Sequence, residues 1–493
     1  MKQLLKMILS RTSLILLLLL AQIVLFLLMV NYVAQFKYIT TTLYAISVII
    51  VIYLITREEN PAYKLSWIIP ILVFPLFGGI FYLLYRRRNI SKKILASQFQ
   101  IAKDRKDYIK GIESSYQSKD LRYLSLNDWP HYHKTNTQFL KSGEILFESL
   151  IKDLKEAQKF IFMEFFIIKK GVMWTQILDV LKQKAKQGVE IKLIYDDFGS
   201  SNLPYHYTDT LKSYGIEAIN FNPMRIHLNF AMNYRDHRKI VVIDGKIAYT
   251  GGINIGDEYI NEKHPYGHWQ DAGIKLEGDA VWSLIIGFLE NWRFTSNIQL
   301  DYSKYKTDYI KQSQGFVSPF TDTPLDDERT SKNLYLSLIS QAQKTIDITT
   351  PYLIIDNELM TALKYAAKAG VIVNIIIPHI PDKKIIYMVT QSYVSELIDV
   401  GVNVYRYKPG FIHSKMMIVD GMRAMIGTAN LDFRSLYLHF ENNVYLEQTD
   451  SIKDMVSFTK EIITQSIKAS NQKKPNLLYR LLQVLLRGFS SLM

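Results

Sequence analysis

Two histidines in this sequence stand in the same frame. The first copy reads His237-Arg238-Lys239-Ile-Val-Val-Ile-Asp244-Gly245 and the second His413-Ser414-Lys415-Met-Met-Ile-Val-Asp420-Gly421. Gly251-Gly252-Ile-Asn254 follows the first copy and Gly427-Thr428-Ala-Asn430 the second. These residue types suit phosphodiester chemistry. One imidazole can attack phosphorus and form a covalent phosphohistidine. Another can protonate the leaving alkoxide and then deprotonate an incoming alcohol. Lys239, Lys415, Asn254 and Asn430 can bind the charge that develops on the non-bridging oxygens. The cations are built into the chain, so neither a metal nor another cofactor is expected. A His-x-Lys-x4-Asp match arises by chance at roughly half a percent per histidine. With ten histidines one accident is conceivable. Two matches with the same glycine and asparagine behind each are not.

The elements that position these residues can be read from periodicity. Residues two apart on a strand share a face, so His237 points with Lys239 and His413 with Lys415. The apolar run after each lysine anchors that strand in a core, and Asp244-Gly245 and Asp420-Gly421 are tight-turn signals. Upstream, Lys159 to Ile168 reads as a strand, Trp174 to Gln187 as a helix ended by Gly188, and Val189 to Tyr195 as a strand. The order recurs as Thr345 to Ile355, Leu359 to Ala369 ended by Gly370, and Val371 to Pro378. Ala185-Lys-Gln-Gly-Val189 resembles Ala367-Lys-Ala-Gly-Val371, and Tyr214-Gly215-Ile216 resembles Val400-Gly401-Val402. Internal duplication accounts for this. The seam falls in Asp301 to Arg329, with Thr321 to Arg329 as an acidic linker.

The amino-terminal end has a different composition. Leu14 to Val30, Tyr38 to Ile55 and Leu65 to Tyr85 are apolar stretches near the ~20 residues a membrane helix needs. A cleaved signal peptide would have a shorter apolar core, ~7–15 residues. Arg86, Arg87, Arg88, Lys92 and Lys93 follow the third stretch and favour a cytoplasmic catalytic part; Lys2, Lys6 and Arg11 pull the other way. The expected layout is therefore an anchor of two to three helices over 1–90, a connector over 91–136, α/β halves over 137–310 and 311–474, and an amphipathic tail over 475–493. The formal charge is +13 over 493 residues, which suits an anionic partner. There are no cysteines, hence no disulfide, thiolate nucleophile or cysteine zinc site.

The paired motifs resemble those of the phospholipase D superfamily. Over roughly Thr56 to Glu447 the chain resembles bacterial cardiolipin synthases. The words that carry this are Asn60-Pro61-Ala62 with Trp67, Phe221-Asn222-Pro223, Gly251-Gly252-Ile-Asn-Ile-Gly-Asp-Glu-Tyr259, Trp269-Gln-Asp271, Gly427-Thr-Ala-Asn-Leu-Asp-Phe-Arg-Ser435 and Glu441-Asn442. Gly252 stands where many superfamily members have serine. The resemblance implies an α/β fold: transmembrane helices followed by two duplicated phospholipase D-like halves sharing one active site. It implies a cell-membrane enzyme joining two molecules of phosphatidylglycerol, an anionic phospholipid, into cardiolipin with release of glycerol. His237 would be the nucleophile and His413 the acid/base. Glu441 beside His237 and Asp271 beside His413 are candidates to orient the imidazoles, while Asp244 and Asp420 hold loops.

The other histidines have structural readings. His439 lines the site or, more simply, packs near it, and the rest lack metal-ligand spacing. Leu477, Leu478, Leu481, Leu482, Val484, Leu485 and Leu486 give the tail a broad apolar face, fit either for a membrane surface or for docking on the protein. Three other functions compete with the synthase. A hydrolase would pass the same intermediate to water. A nuclease would suit the basic charge but not the apolar segments, so no nucleic-acid partner is expected. A non-catalytic scaffold would not need both motifs complete.

Overall fold

Asn60-Pro61 is a helix-start signal, and it acts as one. Asn60 Oδ1 accepts from the Ala62 amide at 2.9 Å, and Pro61 opens helix α2 (Pro61–Val73). Ahead of it lies α1 (Val33–Ile55). The computed structural model describes residues 33–75, 78–80, 92–112, 118–223, 234–471 and 476–492, with Leu20, Val24 and Tyr82. It separates into two units, Met1–Asn89 with Ile226–Ala231 and Leu485–Met493, and Ile90–Arg225 with Met232–Val484. In the smaller unit Leu54, Tyr63, Trp67, Ile71 and Tyr82 form a cluster, with the Trp67 and Tyr82 rings edge to face at 5.5 Å. The Ser66 hydroxyl bonds the Gly488 carbonyl at 2.7 Å.

The expected first span, Leu14 to Val30, lies outside the described residues except for Leu20 and Val24. The second falls within α1. The third is not one helix as described, because α2 ends at Val73. Among the described residues no helix is long and apolar enough to cross a membrane.

The larger unit opens with α3 (Lys92–Ile109) and α4 (Lys119–Leu126). The stretch expected to be a connector with some helix holds these two helices. It is tied down where Arg105 meets Glu290 through two bonds of 2.7 and 2.8 Å, both side chains buried. The first half then runs β1 (Thr135–Leu140), α5 (Gly143–Glu156), β2 (Phe160–Phe165), α6 (Val172–Lys186), β3 (Glu190–Asp196), α7 (Tyr207–Ser213), β4 (Glu217–Phe221), β5 (Arg235–Asp236), β6 (Lys239–Ile243), β7 (Ile247–Gly251), β8 (His268–Gln270), β9 (Gly273–Gly278) and α8 (Val281–Ser296). The second runs β10 (Phe316–Asp322), α9 (Thr330–Gln341), β11 (Thr345–Thr349), β12 (Leu353–Ile354), α10 (Asn357–Lys368), β13 (Ile372–Pro378), α11 (Lys384–Ile398), β14 (Asn403–Tyr407), β15 (Gly410–Ile412), β16 (Met416–Val419), β17 (Arg423–Gly427), β18 (Leu431–Asp432), α12 (Phe433–Tyr437), β19 (His439–Glu447), α13 (Ser451–Thr464) and β20 (Ser466–Lys468).

The sheet orders match strand for strand. The first is β1-β9-β7-β6-β2-β3-β4 and the second β10-β19-β17-β16-β11-β13-β14, with β20 added at its edge. In each, three parallel strands (β2, β3, β4 or β11, β13, β14) are followed by antiparallel strands that carry the motif. Gly188 and Gly370, at φ +86° and +93°, end α6 and α10 in the left-handed region where a side chain is strained. Two expectations change. Phe316–Asp322 is an edge strand, so Thr321 and Asp322 are not linker; buried Asp322 accepts from the Ser331 amide at 2.9 Å. Thr135–Leu140 is strand from two residues before the expected boundary at 137.

Helix α8 is buried continuously from Val281 to Trp292, on every side, with Ser283, Glu290 and Asn291 the polar residues among its apolar ones. It lies in one apolar cluster with Phe162, Ile240 and Leu276 of the first sheet and Met416, Ile426 and Val444 of the second. Two short parallel pairings cross between the halves. β5 pairs with the start of β19, and β15 pairs with β8. Each lies immediately before a motif histidine, so each half sets the position of the other's.

Candidate active site

The crossing pairs end in the chemistry. The His237 amide donates to the Phe440 carbonyl at 2.9 Å, and the His413 amide to the Gln270 carbonyl at 2.7 Å. The next residue along each acceptor strand is an acid. Glu441 Oε2 lies 2.9 Å from His237 Nδ1, and Asp271 Oδ2 lies 2.6 Å from His413 Nδ1. Both carboxylates are fully buried. An ionised carboxylate only accepts, so each one selects the Nδ1–H tautomer and leaves Nε2 with a lone pair.

Lys239 and Lys415 are each 2% exposed, far more buried than an unpaired lysine would be. Lys239 Nζ donates to the His237 carbonyl at 2.6 Å, and Lys415 Nζ donates to the His413 carbonyl while lying 2.9 Å from His413 Nδ1. Burial is the main cause that pushes Lys239 down to about 8 and Lys415 down to about 7. Burial likewise pushes His237 down to about 3 and His413 to about 4, with Lys415 adding to the effect on His413. Lys239 also depresses both His413 and Lys415, so charges from the two motifs act on each other. Burial alone would raise Glu441; its contacts with His237 and His439 reverse this and hold it well below the usual carboxylate range. Asp271 is likewise lowered, burial being outweighed by His413 and Lys415.

Asp244 and Asp420 stand apart from this cluster. Asp244 accepts from the amides of Gln158, Lys159 and Phe160 at 2.8, 2.7 and 3.0 Å. Asp420 accepts from Gln343, Lys344 and Thr345 at 2.9, 2.7 and 2.9 Å. Each stands at positive φ with the glycine after it, as a two-residue hairpin turn requires. Asn254 has both ends of its amide engaged, Oδ1 by the Ile167 amide at 3.1 Å and Nδ2 by the Tyr259 hydroxyl at 2.8 Å. Asn430 Oδ1 is buried with no hydrogen-bond partner among the described residues. Only the second asparagine therefore has an unengaged amide oxygen.

Several residues of the sequence words that carry the resemblance support the site, although the sequence alone assigns them no role. The Thr428 hydroxyl donates to Glu441 Oε2, and the Trp269 indole to Asp271 Oδ2 at 3.4 Å. Asn442 ties the halves together, accepting from the Lys239 amide at 3.1 Å and donating to Thr250 Oγ1 at 2.6 Å. Tyr259 lies edge to face with His413 at 5.6 Å. His439, at 5.5 Å from the His237 ring, has its Nδ1 3.6 Å from Glu441 Oε1. A Cβ on Gly252 would lie 2.1 Å from Asp271 Oδ1, which is why a serine does not fit there unless Asp271 moves.

His237, His439 and Glu441 have ligand atoms within 4.8 Å of one another, close enough for a metal ion. The fit is poor. His237 Nδ1 and Glu441 Oε2 already bond each other, and two lysine ammonium groups nearby oppose a further cation.

Two imidazole–carboxylate pairs made across duplicated α/β halves, with two buried lysines beside them, define a two-histidine phosphoryl-transfer enzyme of the phospholipase D kind. The family described as cardiolipin synthase, PLD-like domain, matches twice, over residues 150–266 and 335–463, and a phospholipase D-nuclease N-terminal family matches 44–87. The chain is 37% identical to cardiolipin synthase 2 of Bacillus anthracis over 423 residues, 83% of this chain and 82% of that one. It is 36% identical to the cardiolipin synthase of Geobacillus sp. (strain WCH70), over 83% of this chain and 85% of that one. Phosphatidylserine synthase of Haemophilus influenzae Rd KW20 shares the fold, with a TM-score of 0.58 at 17% identity over 76% of this chain and 98% of that one. The chain belongs to the cardiolipin synthase family of the phospholipase D superfamily.

Proposed function

We propose that this chain makes cardiolipin from two molecules of phosphatidylglycerol, releasing glycerol. The observation that supports this most is the pair of imidazole–carboxylate bonds made across the halves, set beside two buried lysines. The phosphodiester anion of the first lipid sits against Lys239 and Lys415 and raises the proton affinity of its surroundings. His237, neutral and oriented by Glu441, attacks phosphorus through Nε2. The bond from phosphorus to the glycerol headgroup oxygen breaks as His413 delivers a proton to that oxygen. Glycerol departs and a phosphatidyl-histidine remains. The terminal hydroxyl of the second lipid then attacks phosphorus and gives its proton to His413, which restores His237. The substrate-free His413 is neutral at pH 7, so it takes up a proton from solvent as the anionic phosphodiester binds beside it. Asn430 adds a buried amide to the phosphate pocket, while Asp244 and Asp420 hold loops.

The amino-terminal region serves as a membrane anchor in this reading. Tyr44, Ile46, Val48, Ile49, Ile52 and Ile55 of α1 are exposed, an arrangement suited to lipid rather than water. The arginines at 86–88 favour a cytoplasmic catalytic part in this reading. Protease added outside inverted vesicles, whose exposed face is the cytoplasmic one, should cut the catalytic part, and protease added to intact cells should not.

Membrane fractions containing the chain, given labelled phosphatidylglycerol alone, should yield cardiolipin and glycerol by lipid mass spectrometry. Phosphatidic acid without cardiolipin would identify a hydrolase instead. Salt-sensitive DNA cleavage would point to a nuclease.

A further inference from the structure

Helix α14 (Leu477–Arg487) has its burial inverted. Within the larger unit, which holds its residues up to Val484, Leu477 is 82% exposed and Leu478 76%, and Leu481, Leu482 and Val484 are exposed as well. Its buried residue is polar: Gln483 is 6% exposed and donates through Nε2 to the Met388 carbonyl of α11 at 3.3 Å. In water a helix of this composition buries its leucines and exposes its glutamine. The observed arrangement suits a helix whose outer surroundings are apolar.

The seat of this helix bears on the site. Met388 lies one turn into α11, and the residues that open that helix, Lys383 and Lys384, are exposed beside an exposed Ile385. Just before them Asp382 accepts from the Tyr352 hydroxyl at 2.5 Å, and Lys383 lies over the Tyr352 ring. Tyr352 packs on Phe411, whose ring stacks on His413 at 5.9 Å. The helix with the exposed leucines and Arg480 is thus bonded to α11, and the exposed lysines that open α11 lead through Tyr352 and Phe411 to His413. Apolar side chains flanked by cations are the composition that anionic bilayer surfaces bind.

We infer that α14 and the start of α11 form a docking surface for the headgroup region of an anionic bilayer, holding the His413 side of the pocket against the membrane. The choice of lipid as occupant rests on the proposed phosphatidylglycerol chemistry, but membrane contact is measurable without it. The chain has no cysteine, so single labelling sites can be introduced cleanly. In full-length chain reconstituted into phosphatidylglycerol/phosphatidylcholine vesicles, Leu481→Cys would carry an environment-sensitive fluorophore, with exposed Tyr365→Cys as the aqueous control. The label at 481 should be blue-shifted, quenched several-fold by spin-labelled lipid and resistant to iodide, with the reverse at 365. Adding Leu478→Asp and Leu482→Asp should abolish the lipid quenching. Iodide quenching at 481 in the parent variant would place the helix in water. Protection from both quenchers would show that protein, or a second copy of the chain, covers it. Either result overturns the inference and leaves the synthase reading intact; absence of cardiolipin synthesis with lipid quenching retained would do the opposite.

Discussion

Around His237 the supporting groups are Glu441, the Thr428 hydroxyl and a second imidazole, His439. Around His413 they are Asp271, the Trp269 indole and the Lys415 ammonium. The positions correspond through the register of the crossing strands. Glu441 answers to Asp271, His439 to Trp269 and Thr428 to Gly252. On one side the longer acid is fixed by a hydroxyl. On the other the shorter acid fills the space that a missing side chain leaves, since a Cβ at Gly252 would collide with Asp271. Duplication supplied two equal frames, and the supporting residues have made them unequal. Such inequality suits a reaction in which one imidazole forms a bond to phosphorus and the other only moves protons.

The largest test of that inequality removes the histidines themselves. His237→Ala and His413→Ala should each lower cardiolipin formation by about 10⁴-fold or more. An alkaline quench with labelled phosphatidylglycerol, chosen because phosphohistidine is acid-labile, should trap phosphatidyl label on His237 as it slowly accumulates in the His413→Ala chain, and nothing in the His237→Ala chain. Label on His413 in either variant would reverse the assignment.

Loss of an orienting acid should cost less. Glu441→Gln and Asp271→Asn should each lower kcat by about 10²- to 10⁴-fold, because the wrong tautomer then competes. Gly252→Ser should push Asp271 aside and lower kcat by about 10²-fold, as expected for a displacement near 1 Å. Thr428→Ser keeps its hydroxyl and should stay within about threefold of the parent, a difference read directly in steady-state kinetics.

The lysines set a pH limit. With Lys415 at about 7 and Lys239 at about 8 in the substrate-free site, both lose charge as pH rises through that range. Phosphate binding weakens accordingly, so kcat/KM should fall on the alkaline side with apparent values near 7 to 8. Lys415→Met should remove the lower of the two and cost about 10²- to 10³-fold at pH 7. The buried imidazoles act on stability in the other direction. Their values of about 3 and 4 lie below the ordinary 6.5, so the unfolded chain binds more protons between those limits. Stability should therefore be lost as pH falls from 6.5 toward 4, measurable as a declining thermal midpoint.

The smallest effects belong to the motif aspartates. Asp244→Ala leaves three backbone amides without their acceptor and should cost about 1–3 kcal/mol in denaturant unfolding. Asp420→Ala, at a more exposed turn, should cost less. In both, the folded fraction should keep its activity per molecule; a loss comparable with that of the lysine variants would mean these aspartates act on substrate.

The chemistry was legible in the sequence because it is local. His and Lys two apart on a strand, an Asp-Gly turn and an apolar run between them follow from strand periodicity and turn sterics, and two copies make chance untenable. The helix-to-strand junctions at Gly188 and Gly370 were legible for the same reason, since a left-handed cap selects glycine. Other features depend on partners far along the chain. Thr321 and Asp322 look like linker until β19 pairs with them, and a serine-to-glycine change at 252 means nothing until Asp271 arrives beside it. Nothing local to Asn254 and Asn430 explains why one amide is engaged and the other is not. The sequence by itself determined that two phosphodiesterase frames exist. The resemblance already offered Glu441 and Asp271 as the acids, but only the tertiary structure decided that each histidine takes its backbone partner from a strand of the opposite half, because strands pair through space while motifs are read along the chain.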